Sequence, residues 1–181
     1  MTAGPPGRFG AVLTAMVTPF DDEGRLDLDG VATLARYLTD HGNEGLVIAG
    51  TTGESARLLA EAPDGFELYS GDDAMTLALL AIGACGAVGV ATHWCGEQTA
   101  EMIAAFTKGD VALARTINAR LTESWAFETG DDAPNPIPSK AVLRVLGLPA
   151  GQCRLPMGPA PDGLEDQARR VLRNLGIEPL A

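Results

Sequence analysis

A short apolar run, Leu46-Val47-Ile48-Ala49, leads without a break into Gly50-Thr51-Thr52-Gly53-Glu54-Ser55. Four apolar residues that end at a glycine suit a buried strand, and the segment after them suits a loop. The two glycines let the backbone come close to a small ligand. Two hydroxyls and a row of successive N–H groups can hold an anion such as a carboxylate. Thr51 and Glu54 also have the spacing of a capping box, which would start a helix and nothing more. Both readings stand on local sequence.

The flanking chain sets the context. Residues 11–17 read as a buried strand closed by Thr18-Pro19. Asp27 or Asp29 then offers a helix N-cap, followed by Val31, Leu34, Ala35 and Leu38 on one face, with Gly42 as the stop. The run at 46–49 completes a β-α-β unit. Residues 57–62 read as a short helical piece, 63–65 as a turn and 66–70 as a third strand. Ser70-Gly71-Asp72-Asp73 then opens a helix carrying Met75, Leu79, Leu80 and Ile82, and 87–91 reads as a fourth strand. Alternating strands and helices imply a parallel sheet with helical crossovers.

From there the pattern is helical. Met102, Ile103 and Phe106 share one face, and Gly109 stops that helix. Val111, Ala114, Ile117 and Leu121 share another, with Asp110 as cap. Residues 129–139, with three prolines, read as a loop. Helices follow at 141–146 and over Leu164, Ala168, Val171, Leu172 and Leu175, the last ended by Gly176 at its C′ position. The division is placed near Cys95–Gly96: an α/β region over 1–95 and a helical region over 96–181.

Composition narrows the functional classes. A net charge of −11 argues against nucleic acid and against anionic membrane surfaces as partners. Cys85, Cys95 and Cys153 are odd in number and form no C-x-x-C, as expected of reduced thiols in a cytoplasmic protein. No apolar run approaches the ~20 residues of a membrane span, and the first ten residues lack the apolar core of a signal peptide. His93 and Cys95 supply too few ligands for a metal, so none is expected. Asp72-Asp73 suit a helix cap and dipole better than an acid pair.

Taken in order, Leu13-Thr14-Ala15-Met16-Val17-Thr18-Pro19-Phe20, Gly50-Thr51-Thr52-Gly53-Glu54, Ser70-Gly71-Asp72-Asp73, Asn135-Pro136-Ile137-Pro138-Ser139-Lys140 and Arg154-Leu155-Pro156-Met157 form a series. The series resembles the 4-hydroxy-tetrahydrodipicolinate synthase (dihydrodipicolinate synthase) family, within the superfamily that includes N-acetylneuraminate lyase. The resemblance implies a (β/α)8 TIM barrel, a C-terminal helical extension and homo-oligomeric assembly. It implies a lyase of lysine biosynthesis that condenses pyruvate with aspartate semialdehyde through a Schiff base on an enzyme lysine, with no separate cofactor. Gly50, Thr51, Thr52 and Gly53 then correspond to the loop that holds the pyruvate carboxylate, and Thr52 to the proton-relay threonine.

Class I aldolase chemistry needs a buried amine that can lose its proton beside the substrate. The chain has two lysines, Lys108 and Lys140, and neither follows an apolar strand, where a barrel presents catalytic residues. The family's Schiff-base lysine, its tyrosine and the arginine for the second substrate have no counterpart. Tyr37 and Tyr69 are not reassigned to that role.

Up to Ser55 the chain tracks the family's second strand and loop; from Ala56 it tracks the end of the sixth helix and the seventh strand. The expectation is an internally deleted chain holding family strands 1, 2, 7 and 8 in the order 7-8-1-2. Strands 2 and 7 would then be open edges. Such a chain is expected to be inactive alone, to aggregate or pair its edges with another copy, or to partner a full-length relative. Two half-barrels would supply eight strands but still no lysine.

Overall fold

Asp27 starts the first helix. Its Oδ1 accepts the Gly30 N–H at 2.8 Å, the bond that an N-cap makes, and α1 runs from there over Leu28–Asp40. The computed structural model of the chain describes residues 13–15, 25, 27–40, 45–48, 52–62, 66–130, 133–148 and 150–179. Within them the chain divides into two units, residues 1–88 and 89–181.

The first unit alternates β1 (Leu13–Ala15), α1, β2 (Gly45–Ile48), α2 (Thr52–Glu61), β3 (Leu68–Ser70), α3 (Thr76–Ala81) and β4 (Gly86–Ala87). All strand pairs are parallel, as the alternation predicts, and the sheet order is β1-β2-β3-β4. Leu68 is fully buried against Leu58 of α2 and Leu79 of α3, with Ala84, Leu59, Phe66, Met75 and Ile82 around them. That cluster joins the two helices to one face of the sheet. On α1, Val31 and Ala32 are buried while Arg36 and Tyr37 face water, the division expected of an amphipathic helix.

The sheet order corrects one expectation. The order 7-8-1-2 leaves the second and third strands of this chain as edges, whereas β2 pairs with β3, Val47 opposite Tyr69. Among the described residues, β1 and β4 are the edges. The cause is local: one helix links β2 to β3, and a single-helix crossover sets the next parallel strand beside the one before it.

Helix α2 is the second correction. Instead of a short piece over 57–62, it begins at Thr52 and continues for ten residues to Glu61. Ser55 and Leu58 are buried on one side. On the other, Arg57 pairs with Glu61 one turn on at 3.0 Å and with Asp29 of α1, and Arg36 of α1 also meets Glu61.

Further boundaries differ. A 3-10 turn over Asp73–Met75 precedes α3, capped by Asp72, whose Oδ1 accepts the Ala74 N–H at 2.9 Å. β4 has two residues rather than 87–91, since the chain turns at Gly89, whose carbonyl accepts Thr92 Oγ1 at 2.6 Å.

The second unit is helical: α4 (Thr92–Thr107), α5 (Val111–Glu128), α6 (Ile137–Val145) and α7 (Leu164–Leu175). Met102, Leu121, Val142 and Leu172, one from each helix, are fully buried. Asp110 caps α5 through the Leu113 N–H at 2.9 Å, as expected. Gly176 (φ 72°) ends α7 in the left-handed conformation. α4 starts earlier than its apolar face indicates and contains a non-helical residue, Cys95 (φ −115°, ψ 27°), so the division read at Cys95–Gly96 falls inside it. α6 opens within the proline-rich segment read as a loop, because Pro138 occupies its first turn, where a missing N–H costs nothing.

Candidate functional site

Parallel strands aligned in register deliver their following loops to one end of the sheet. Ile48 of β2 stands opposite Ser70 of β3, and Ser70 stands opposite Ala87 of β4. The segment entering α2, the Ser70-Gly71-Asp72-Asp73 turn and the residues after β4 therefore leave from the same, carboxyl, end. In parallel α/β folds that end carries the ligand site.

Gly50 and Thr51 lie outside the described residues. Thr52 and Gly53 form the first turn of α2, so the segment meets a ten-residue helix whose N-terminal N–H groups have no partner within the helix. Such an end carries partial positive charge, suited to a carboxylate. The capping box of Thr51 and Glu54 is outside the described side chains, but the helix it would start begins where that spacing predicts.

The neighbouring turn is built on hydrogen bonds. Ser70, fully buried, donates through Oγ to the Asp72 carbonyl at 2.6 Å, and its own carbonyl accepts the Val88 N–H at 2.7 Å. Asp72 thus serves as a cap, as the sequence indicates. One residue before Ser70, Tyr69 Oη donates to Glu67 Oε2 at 2.7 Å. Burial, then the Glu67 carboxylate and the Cys85 thiol, raise the Tyr69 phenol above its ordinary value. No pattern in the sequence joins Tyr69 to Cys85; the β3–β4 register does.

Both lysines belong to the helical unit. Lys140 Nζ donates to the carbonyls of Ala150 at 2.9 Å and Gln152 at 3.1 Å, clasping the segment after α6. Lys108 is exposed at the end of α4. His93 Nδ1 contacts the Val90 carbonyl at 2.7 Å, while Cys95 Sγ is buried and donates to the Ala91 carbonyl at 3.1 Å. Cys85, Cys95 and Cys153 are free thiols. Among the described residues no three His, Cys, Asp or Glu side chains gather as a metal site, and no helix is long and apolar enough to cross a membrane.

A parallel sheet with helical crossovers and loops converging at its carboxyl end defines a parallel α/β protein. The Dihydrodipicolinate synthetase family profile matches residues 8–62 and 56–175, and the chain belongs to that family. The 4-hydroxy-tetrahydrodipicolinate synthase of Acidothermus cellulolyticus is 31% identical over 292 aligned positions, covering 94% of this chain and 92% of the relative. That of Moorella thermoacetica is 27% identical over 292, covering 94% and 99%. Both alignments are longer than the 181-residue chain, so more than a hundred of their positions have no residue here. The synthase of Thermosynechococcus vestitus is 40% identical over 129 residues, 71% of this chain and 43% of the relative.

The solved dihydrodipicolinate synthase of Thermotoga maritima superposes with a TM-score of 0.75 at 23% identity, over 94% of this chain and 57% of its own. The synthase of Cyanidioschyzon merolae, solved with lysine bound, gives 0.73 at 33% identity over 81% and 50%. The fold is thus of the TIM-barrel class, and the chain spans about half the length of these solved relatives.

Proposed function

We propose that this chain is a non-catalytic member of its family, which keeps the carboxylate-binding loop at Gly50, Thr51, Thr52 and Gly53 and lacks the nucleophile that makes the family's reaction possible. In this reading an internal deletion near 55–56 joins family strands 1 and 2 to strands 7 and 8. The family condensation of pyruvate with aspartate semialdehyde then does not proceed on this chain alone. A pyruvate-like carboxylate binds at the α2 N-terminus by hydrogen bonds and helix dipole, with no covalent step and no cofactor.

The observation that carries the reading is the placement of the lysines. A Schiff base needs a neutral amine at the substrate, but Lys140 Nζ donates to two carbonyls in the helical unit and Lys108 is exposed at a helix end. The two family-profile segments, which overlap at 56–62 across the end of α2, support the position of the deletion.

Borohydride reduction in the presence of pyruvate tests this directly. The intact mass is expected to stay unchanged, while a full-length relative treated in parallel gains the pyruvyl adduct. A stable adduct on Lys108 or Lys140 would refute the non-catalytic reading. Ligand-observed NMR then reads the loop: a pyruvate signal that Thr52→Val abolishes is expected, and no pyruvate signal from the folded wild type removes the binding half of the proposal.

A further inference from the structure

The stretches around the first and last strands of the sheet, residues 11–17 (AVLTAMV) and 84–91 (ACGAVGVA), carry neither charge nor proline. They contain β1 and β4, and among the described residues each of those strands pairs on one side only. Sheet edges in soluble proteins are normally blunted by lysine, proline or inward charge. Here Val88, directly after β4, is 53% exposed, and the acidic residues of the unit fall outside both stretches. Two such edges can meet without bringing like charges together.

We propose that two copies of this chain close one eight-stranded parallel barrel, the β4 edge of each pairing with the β1 edge of the other. Polarity permits it, because β1 to β4 all run parallel and β1 of a second copy continues the sheet beyond β4. Strand number favours it, since eight is the count at which a barrel interior is just filled by side chains. The edges are also cognate. On the strand assignment given under Proposed function, on which this step rests, β4 is family strand 8 and β1 is family strand 1, neighbours in any closed barrel of that order. The β2–β3 pairing sets them at opposite ends of one sheet, and a two-fold axis along the barrel brings both pairs together at once.

The same geometry selects the occupant. A full-length relative has a closed barrel, and closure leaves no strand edge to offer. Only another open sheet of matching polarity can supply both a β1 and a β4 edge.

Sedimentation equilibrium on the full chain is expected to give twice the 18.8 kDa chain mass. A monomer at all concentrations, or an open-ended polymer, would overturn the closed dimer. Val88→Lys places a charge on the seam and is expected to abolish the dimer, while Val88→Thr keeps the β-branched shape and the dimer; a Val88→Lys dimer equal to wild type would place the interface elsewhere. Should Val88→Lys fail to fold, hydrogen exchange on the wild type decides. Peptides covering 11–17 and 84–91 should lose protection together on dilution, and loss confined to the helical unit would refute the proposal. A full-length relative added in excess should not incorporate; a mixed species would refute the choice of partner. Borohydride trapping reads a different property, because closure adds no lysine to the site.

Discussion

The Tyr69 ring covers Gly86 across the β3–β4 ladder. The two residues are register partners, and a Cβ built on Gly86 would lie 3.0 Å from both Cδ1 and Cε1 of Tyr69. The ring supplies the packing that the glycine lacks, and the hydrogen bond to Glu67 limits how far it can give way.

Gly86→Ala should therefore destabilise the first unit by about 1–3 kcal/mol, the usual range for overpacking. Gly86→Ala made together with Tyr69→Leu should cost less than the two changes summed, because the smaller side chain leaves room for the methyl group. Urea denaturation of the four proteins closes the cycle; strict additivity would show that the ring and the glycine are not in contact.

Tyr69 also predicts an alkaline limit. Its phenol is raised in the folded state, first by burial and then by the Glu67 carboxylate, so the unfolded chain loses that proton at lower pH than the folded one. The stabilisation is complete below the unfolded value near 10 and is lost as pH rises above it. Stability measured through that range should fall in the wild type and fall less in Tyr69→Phe, with phenolate absorbance reporting the titration. Equal slopes in both proteins would reject the link.

Arg57 ties α2 to α1 through Asp29 and to its own helix through Glu61, all at the surface. Both acids raise the Arg57 guanidinium above its ordinary value. Exposed pairs of this kind contribute little and are screened by salt. Arg57→Ala should lower the melting temperature slightly at low ionic strength and leave it unchanged at high salt. A large, salt-independent loss would mean that the arginine stem packs rather than pairs.

In the helical unit, Trp94 Nε1 donates to Ser124 Oγ at 3.1 Å, with Ser124 fully buried and Phe127 edge-on to the indole at 6.4 Å. Ser124→Ala leaves a buried N–H without its acceptor and should cost about 1–3 kcal/mol. Ser124→Thr, which keeps the oxygen, tests whether the loss comes from the bond or from volume. Thermal melts of both variants decide it, and full stability in Ser124→Ala would deny the bond any role.

Local signals carried well. Asp110 announced its cap, Gly176 its left-handed stop, and the Gly-Thr-Thr-Gly segment both the helix that follows and the family. Single residues with strong conformational or hydrogen-bonding preferences make such features, and the chain alone displays them. The length of α2 was obscured because its first turn holds Thr52 and Gly53, residues that read as loop until the helix is seen to begin there. The start of α6 was obscured because proline reads as a breaker until its place in the first turn is known.

Pairing was the limit. The amino-acid sequence by itself determined the family and the parallel character of the sheet, since each depends on which residues are present and in what order. Only the tertiary structure decided that β2 takes β3 as its neighbour and that Tyr69 covers Gly86. Edge identity and cross-strand contact depend on which strands meet in space, and a one-helix crossover sets β3 beside β2.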